Sequence, residues 1–91
     1  VKSMLETALA GNFIKARDSL DEIMITYGLS GQDVIRQIHT SIFDLGVSDY
    51  DKVKLIDKCG EIEFRIVEGS NERIQLEALL AYFIMIGGNA R

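Results

Sequence analysis

The amino-acid sequence predicts an all-α protein, a compact bundle of five helices that forms one domain over residues 1–91. Apolar residues recur at spacings of three and four, which is the period of one face of a helix. The chain contains no proline, and short corners of glycine with asparagine or serine separate the periodic segments. Glycine permits the positive φ at which many helices end, and asparagine or serine caps the helix that follows.

The first two helices are divided by Gly11 and Asn12. We expect the first helix over Lys2–Ala10, with Gly11 ending it and Asn12 capping the second. The inward residues of the first helix are expected to be Met4, Leu5 and Ala8. Gly28 occupies the position of a left-handed C-cap for the second helix. The inward face of that helix should comprise Phe13, Ala16, Leu20, Ile23, Met24 and Tyr27.

Serine residues begin the third and fourth helices. Ser30 and Asp33 form a short version of the capping box, in which Asp33 takes the place of the usual Glu or Gln. Gly46 is predicted to end the third helix, and Ser48 to cap the fourth. The core stripe of the third helix is expected to be Val34, Ile35, Ile38, Ile42 and Leu45.

The predicted fourth helix carries two apolar stripes. The first stripe is Leu55, Cys59, Ile62 and Ile66. The second stripe is Val53, Ile56, Gly60, Phe64 and Val67. A helix with two such stripes packs on two neighbours, so we expect this one at the centre of the bundle. Because a glycine inside a helix costs about 1 kcal/mol relative to alanine, Gly60 indicates that a neighbouring helix crosses closely there.

A corner at Glu68-Gly69-Ser70-Asn71 leads into the fifth helix. One face of this helix is expected to be Leu76, Leu79, Leu80 and Phe83, and another Ile74, Ala78, Ala81 and Met85. Past Glu77 the helix is apolar nearly all round, and five short helices offer little surface to enclose it. We therefore expect part of it to contact another copy or another domain. Gly87-Gly88-Asn89 is expected to be a loose end.

The sequence shows no catalytic constellation. His39 is the only histidine and Cys59 the only cysteine, and neither lies in a nucleophile or metal motif. We expect His39 at the surface and Cys59 as a buried thiol. The pattern GxxxxGK[ST] is absent, so the chain should not bind ATP through a phosphate loop. A net charge of −4 without a basic stripe argues against direct binding to DNA.

No segment has the pattern of a targeting or membrane signal. The N-terminal segment carries an acid among its apolar residues, and the apolar run from Ala78 to Ile86 is about half the length that a membrane span needs. We expect a soluble intracellular protein with no membrane partner. Val1 is not a usual initiator, so residues 1–91 are expected to be one domain of a longer protein.

Several segments together resemble one family. Residues 63–81, EFRIVEGSNERIQLEALLA, closely resemble the last two helices of the replication factor C small subunit, the clamp loader of archaea and eukaryotes, most closely its archaeal form. GNFIKAR at 11–17 and YGLSGQDVI at 27–35, continued by RQIH, match in the same order and with similar spacing. Each segment is weak alone, and the four together are specific. The apolar run of Tyr82 to Ile86 departs from the family, which often turns polar there.

The resemblance implies that this chain is the collar, the C-terminal domain that joins clamp-loader subunits into a ring. It implies no enzyme activity and no cofactor in this chain, because the family carries ATP and magnesium on two preceding AAA+ domains. The implied partners are other small and large loader subunits and, through the full complex, the sliding clamp and primer–template DNA. The implied location is the cytoplasm of an archaeon, or the nucleus of a eukaryote.

Two sets of candidate residues follow. At the corner, Glu68, Gly69, Asn71 and Glu72 are expected to cap the helices. On the last helix, the candidate subunit interface is Arg73, Gln75, Leu76, Leu80, Phe83 and Ile84. An alternative function is a free-standing helical adaptor that binds a partner helix beside the last helix. A small helical enzyme that uses His39 and nearby acids is a third possibility. Self-association would favour the collar, and binding to a different protein would favour the adaptor.

Overall fold

The structure, a computed structural model, describes residues 1–89. Its helices are α1 (Lys2–Leu9), α2 (Phe13–Asp21), α3 (Gly31–Ile42), α4 (Asp49–Val67) and α5 (Glu72–Asn89). A π-helical turn, Glu22–Thr26, extends α2. No strand occurs in this part of the chain. The all-α fold with five helices is therefore confirmed.

The predicted caps are present. Gly11 has a φ of 96° and ends α1, and the Asn12 side chain accepts a hydrogen bond from the Lys15 amide at 3.1 Å. At the start of α3, the Asp33 amide donates to Ser30 Oγ at 3.1 Å, and the Ser30 amide donates to the Asp33 carboxylate at 3.2 Å. These two bonds satisfy amides that lack a partner inside the helix. The bonds from Ser30 also lower the pKa of Asp33.

The predicted end of the second helix at Gly28 is confirmed, since a π-helical turn continues it to Thr26 and Gly28 has a φ of 71°, whereas the predicted inward position of Tyr27 and the predicted end of the third helix are wrong. The second helix leaves α-helical geometry at Glu22, and Tyr27, which was expected to face inward, is exposed. The wider π-helical turn changes the direction of the residues that follow it, which accounts for the difference. The third helix ends at Ile42 rather than at Gly46, because two turn-type hydrogen bonds, from Asp44 and Leu45, replace the helical ladder. Leu45 is nevertheless buried, as expected.

Helix α5, not α4, lies at the centre of the bundle. It packs against all four other helices, whereas α4 packs against α3 and α5 alone. The buried residues of α5 are Leu76, Leu79, Leu80, Phe83, Ile86 and Gly87. The other helices supply the remaining core, including Leu5, Leu20, Ile38 and Leu55. The expectation that α4 is central is therefore wrong, and the core closes around one face of α5.

The end of α5 packs closely on α1. Gly87 is buried, and a Cβ at this position would overlap the carbonyl oxygen of Leu9. Only glycine lets the two backbones approach this closely. The neighbouring Gly88 faces open space. The prediction of a loose end over residues 87–89 is wrong, because the helix continues to Asn89 and its last turns form part of the core.

The second apolar stripe of α4 lies at the surface. The side chains of Val53, Phe64 and Val67 are more than half exposed, and Ile56 is partly buried. A Cβ at Gly60 would meet no atom within 4 Å. The predicted close crossing at Gly60 is therefore wrong, since no helix of the described chain covers this side of α4. The first stripe, with Leu55, Cys59, Ile62 and Ile66, is buried as predicted.

Candidate subunit interface

At the corner between α4 and α5, Glu68 and Gly69 end one helix and Asn71 caps the next, as predicted. Gly69 has a φ of 99°, its amide donates to the Ile66 carbonyl at 3.1 Å, and the Ser70 amide donates to the Arg65 carbonyl at 3.0 Å. This pair of bonds is a Schellman motif, which satisfies the last carbonyls of a helix. Glu68 is the C-cap residue of α4. Asn71 Oδ1 then accepts from the Ile74 amide at 2.9 Å.

Glu72 links the corner to α3. Its side chain lies against Gly31, where a Cβ would overlap it. Gly31 is buried at the first position of α3, so the carboxylate of Glu72 lies near the N-terminus of that helix. A negative charge is favoured there because the helix dipole is positive at its N-terminus. Glu72 therefore positions the start of α5 against α3.

Half of the predicted interface lies in the core. Leu76, Leu80 and Phe83 are fully buried within the single chain. They face the other helices of the bundle, because they belong to the buried apolar face of α5. In this structure they cannot contact a second subunit. This is a correction to their placement in the candidate interface.

The other predicted interface residues are partly exposed. Arg73 makes ion pairs inside the chain, with Asp21 and with Glu77, and Arg17 also pairs with Glu77 at 3.2 Å. These pairs join α2 to α5, so the charge of Arg73 is already balanced. Ile84 packs against the core. Gln75 is half-buried, and its Oε1 is buried without a hydrogen-bond partner among the described residues.

The seam between α4 and α5 is polar and internally paired. Glu61 accepts from Lys58 Nζ at 2.7 Å and from Arg65 Nη2 at 2.7 Å. The hydrogen bond from Lys58, supported by the charge of Arg65, lowers the pKa of Glu61. Lys58 Nζ also lies 5.0 Å from the centre of the Tyr82 ring, in a cation–π contact.

Another side of α4 is exposed and mainly apolar, and the exposed Asp57 is the charged residue within it. We call the exposed residues Val53, Gly60, Phe64 and Val67 the α4 surface. Phe64 is 62% exposed. Beside it, a groove of about 360 Å³ separates α3 from α4. The groove is lined by Ile35, Arg36, His39, Thr40, Cys59, Gly60 and Glu63.

The rim and floor of this groove differ in chemistry. Arg36, His39 and Glu63 are exposed and polar, whereas Cys59 is buried. Burial raises the pKa of the Cys59 thiol to about 12, so the floor is uncharged. The His39 ring packs edge-on against Phe43 at 5.5 Å, at the surface as expected. The described residues contain no cluster of three or more His, Cys, Asp or Glu that could hold a metal ion.

A second apolar surface lies on α5. The exposed residues Ile74, Ala78, Ala81 and Met85, which we call the α5 stripe, lie opposite the core face of the helix. The stripe carries no charged side chain. It is the second face that the sequence predicts for this helix, and it is the part of α5 that the bundle leaves uncovered.

The α4 surface was missed by sequence reasoning, although one residue signals it. Glu63 lies seven positions from Ile56 and four from Val67, so at about 100° per residue it falls at the edge of the second stripe, between that stripe and the first. A charged side chain at the edge of a stripe indicates that the stripe borders solvent. The exposed position of Glu63 agrees with this.

Comparison with known proteins identifies the family. Residues 1–82 match the family model described as the replication factor C C-terminal domain. This chain belongs to that family. The family expected from the four sequence segments is thereby confirmed. The match ends inside α5, before the buried Phe83, Ile86 and Gly87.

Relatives with curated names support the same family. The chain is 53% identical over 87 residues to the replication factor C small subunit of Methanocella arvoryzae, which covers 96% of this chain. It is 52% identical over 79 residues to that of Archaeoglobus fulgidus, covering 87% of the chain, and 49% identical over 89 residues to that of Staphylothermus marinus, covering 96%. The chain spans 27%, 25% and 27% of the lengths of these three small subunits.

The family model describes a C-terminal domain, and the relatives extend well beyond the matched region. Among residues 1–89, no helix is both long enough and apolar enough to cross a bilayer.

Proposed function

We propose that this chain is a collar domain, which joins the subunits of a clamp loader into a ring. The observation that carries the proposal is the α4 surface. Val53, Phe64 and Val67 are exposed on a helix whose opposite side completes a well-packed core. Because the fold is complete without them, their apolar character serves a contact outside the domain.

The energetics favour covering this surface. Removing apolar area from water contributes about 25 cal/mol per Å², and aromatic residues such as Phe64 contribute most to interfaces. The family membership supports other clamp-loader subunits as the partners. The relatives are named small subunits, and a subunit by definition assembles with others. The neighbouring domain of another small or large subunit is therefore the proposed partner.

The remaining functions belong to the longer protein that we propose for this domain. Its preceding domains would hold ATP and magnesium, and the assembled loader would act on the sliding clamp and on primer–template DNA. The collar itself would bind neither nucleotide nor DNA, since the chain has no phosphate loop and a net charge of −4. We propose the cytoplasm as the location, because these relatives are archaeal.

A domain exchange tests the proposal. This chain replaces the C-terminal domain of the Methanocella small subunit, and assembly is measured by sedimentation velocity. We expect the exchanged subunit to assemble, and Phe64→Glu to prevent assembly without unfolding the domain. Gln32→Glu is the control, because it adds the same charge at an exposed position outside the α4 surface and the α5 stripe. Normal assembly of the Phe64→Glu protein would contradict the proposal.

A helical adaptor is the second candidate, and the groove between α3 and α4 favours it. An apolar floor with polar groups at the rim resembles the sites that receive an amphipathic helix. The domain exchange separates the two functions. An exchanged subunit that remains monomeric while the isolated domain captures a helical peptide would favour the adaptor.

A further inference from the structure

We propose that the groove between α3 and α4 receives an amphipathic helix of another protein. This helix inserts two apolar side chains, one turn apart, and carries an acidic residue on one flank and a basic residue on the other. The proposal goes beyond the collar function, and it rests on the groove that favours the adaptor, whose partner it specifies. Three observations carry it: the glycine in the wall of the groove, the dimensions of the groove and the charges on its two walls.

Gly60 has no packing role within the described part of the chain. A glycine inside a helix destabilises the helix relative to alanine, and it is required where φ is positive or another backbone approaches closely. Gly60 meets neither condition, because its φ is not positive and a Cβ would meet no atom within 4 Å. It instead lines the groove beside the buried Cys59. A side chain at position 60 would take up space in the groove, so glycine keeps the groove open.

The groove has the dimensions of a site for two side chains. Its α3 wall includes Arg36 and Thr40, and its α4 wall runs from Cys59 to Glu63. At 1.5 Å per residue, each of these pairs spans about 6 Å, or one helical turn. Side chains at positions i and i+4 of a helix also lie about 5–6 Å apart. A partner helix that lies along the groove therefore places two side chains of one face within its length.

The base of the groove suits aliphatic side chains. Ile35 and Cys59 are each 2% exposed and belong to the core. At the rim, the hydroxyl of Thr40 donates to the Arg36 carbonyl at 3.2 Å, so its hydrogen is already used within α3. An apolar base below polar rims is the arrangement that receives the apolar face of a helix.

The two walls carry opposite charges that lack ion pairs within the domain. Arg36 on α3 and Glu63 on α4 are exposed, and neither forms an ion pair among residues 1–89. The charged side chains that join α2 to α5, by contrast, are paired with one another. A helix with an acidic residue towards Arg36 and a basic residue towards Glu63 pairs both free charges. A helix with the same charge on both flanks meets one wall of like charge, so the walls select the partner.

Two designed peptides test this selection. Both are short stapled helices whose only apolar side chains are two leucines four positions apart. The mixed-charge peptide has glutamate on one flank and lysine on the other, and in the lysine peptide a second lysine replaces the glutamate. The mixed-charge peptide can pair with both walls whichever flank carries the glutamate, because a helix can lie in the groove in either direction.

Fluorescence anisotropy of the labelled peptides measures both affinities. We expect wild type to bind the mixed-charge peptide about threefold more tightly than the lysine peptide, as one exposed ion pair provides. Arg36→Glu makes both walls acidic and should reverse the preference. Lys2→Glu is the control, since it changes the net charge equally at an exposed position on α1 and should keep the wild-type preference. Equal affinity of wild type for the two peptides, or no reversal by Arg36→Glu, would overturn the proposal.

Filling the groove tests its location. Gly60→Leu should weaken binding of the mixed-charge peptide by about tenfold or more, with helical content retained, because the leucine occupies the groove. Gly88→Leu is the matched control, because this helical glycine also faces open space but lies on α5. When wild type is titrated with the peptide, changes in amide NMR shifts should centre on residues 35–40 and 59–63. Unchanged binding by Gly60→Leu, or shifts centred elsewhere, would contradict the proposed site.

A second copy of the domain is the competing occupant. Copies with a net charge of −4 repel one another, which disfavours it. If the NMR signals of residues 35–40 and 59–63 move with protein concentration and neither peptide binds, the groove receives a second copy and the proposal is wrong.

The outcome is separable from that of the domain exchange. If the exchanged subunit assembles and is blocked by Phe64→Glu, but neither peptide binds, the collar function stands and the groove proposal fails. If the peptides bind as expected and the exchanged subunit remains monomeric, the groove proposal stands and the adaptor replaces the collar.

Discussion

Helices α4 and α5 are built from the same kinds of residue and use them in opposite ways. Each has a phenylalanine and an internal glycine in an apolar pattern, but Phe83 and Gly87 of α5 are buried, whereas Phe64 and Gly60 of α4 are exposed. α5 packs on four helices and α4 on two. The number of neighbours, rather than the apolar content of a helix, therefore determines which residues stabilise the fold and which remain available to a partner.

The two phenylalanines give the largest predicted contrast. Phe83→Ala should reduce the free energy of unfolding by about 3–5 kcal/mol, because it leaves a cavity in the core. Phe64→Ala should change it by less than about 0.5 kcal/mol, as at other exposed positions. Urea unfolding followed by circular dichroism measures both. Similar losses for the two variants would mean that α4 is packed on both sides.

The glycines at the end of α5 give the next contrast. Gly87→Ala should destabilise the domain by about 3 kcal/mol, the upper end for overpacking, because the new Cβ meets the backbone of Leu9. Gly88→Ala is the matched control and should stabilise it by roughly 0.5–1 kcal/mol, since this glycine faces open space. If the two variants melt at the same temperature, α5 does not pack closely on α1.

Replacing Gly60 with alanine should raise the stability of the domain, whereas the same replacement at Gly87 should lower it. Gly60→Ala is expected to stabilise the isolated domain by about 1 kcal/mol, because alanine favours the helix and nothing lies near the added methyl group. Thermal unfolding at low protein concentration is the measurement. A lower melting temperature would show that a helix crosses Gly60 after all.

Removing the cap at the start of α5 should change the free energy of unfolding by about as much as Gly60→Ala, or by less. Asn71→Ala removes the acceptor for the Ile74 amide and should cost about 1 kcal/mol. Asn71→Ser keeps an acceptor and should restore most of the stability. Equal unfolding midpoints for the alanine and serine variants would mean that the hydrogen bond does not stabilise the corner.

Local features could be predicted from the sequence because they depend on neighbouring residues. The caps at Asn12, Ser30, Ser48 and Asn71 each involve an amide three positions away, and all four are present. The φ of 99° at Gly69 likewise follows from the end of a helix. These hydrogen bonds do not depend on how the helices are arranged in space.

The arrangement of the helices could not be predicted in the same way. Periodicity finds apolar faces but not their neighbours, so Leu76, Leu80 and Phe83 were assigned to an interface and Gly60 to a helix crossing. The contact between Gly87 and Leu9 joins the two ends of the described chain, and no spacing in the sequence reports it. Glu63, at the edge of the second stripe, was a local signal that could have corrected the assignment of α4.

The fluorescence of a tryptophan at position 64 tests the central claim, that the α4 surface is exposed in the domain and covered by a neighbouring subunit. Residues 1–91 contain no tryptophan, so in the isolated domain Phe64→Trp reports on this position alone, and in the exchanged subunit its emission is the difference from the same subunit with Phe64. We expect emission typical of a solvated indole in the dilute domain, and a shift to shorter wavelength when the exchanged subunit assembles. A short-wavelength emission in the dilute domain that does not change on assembly would contradict the account.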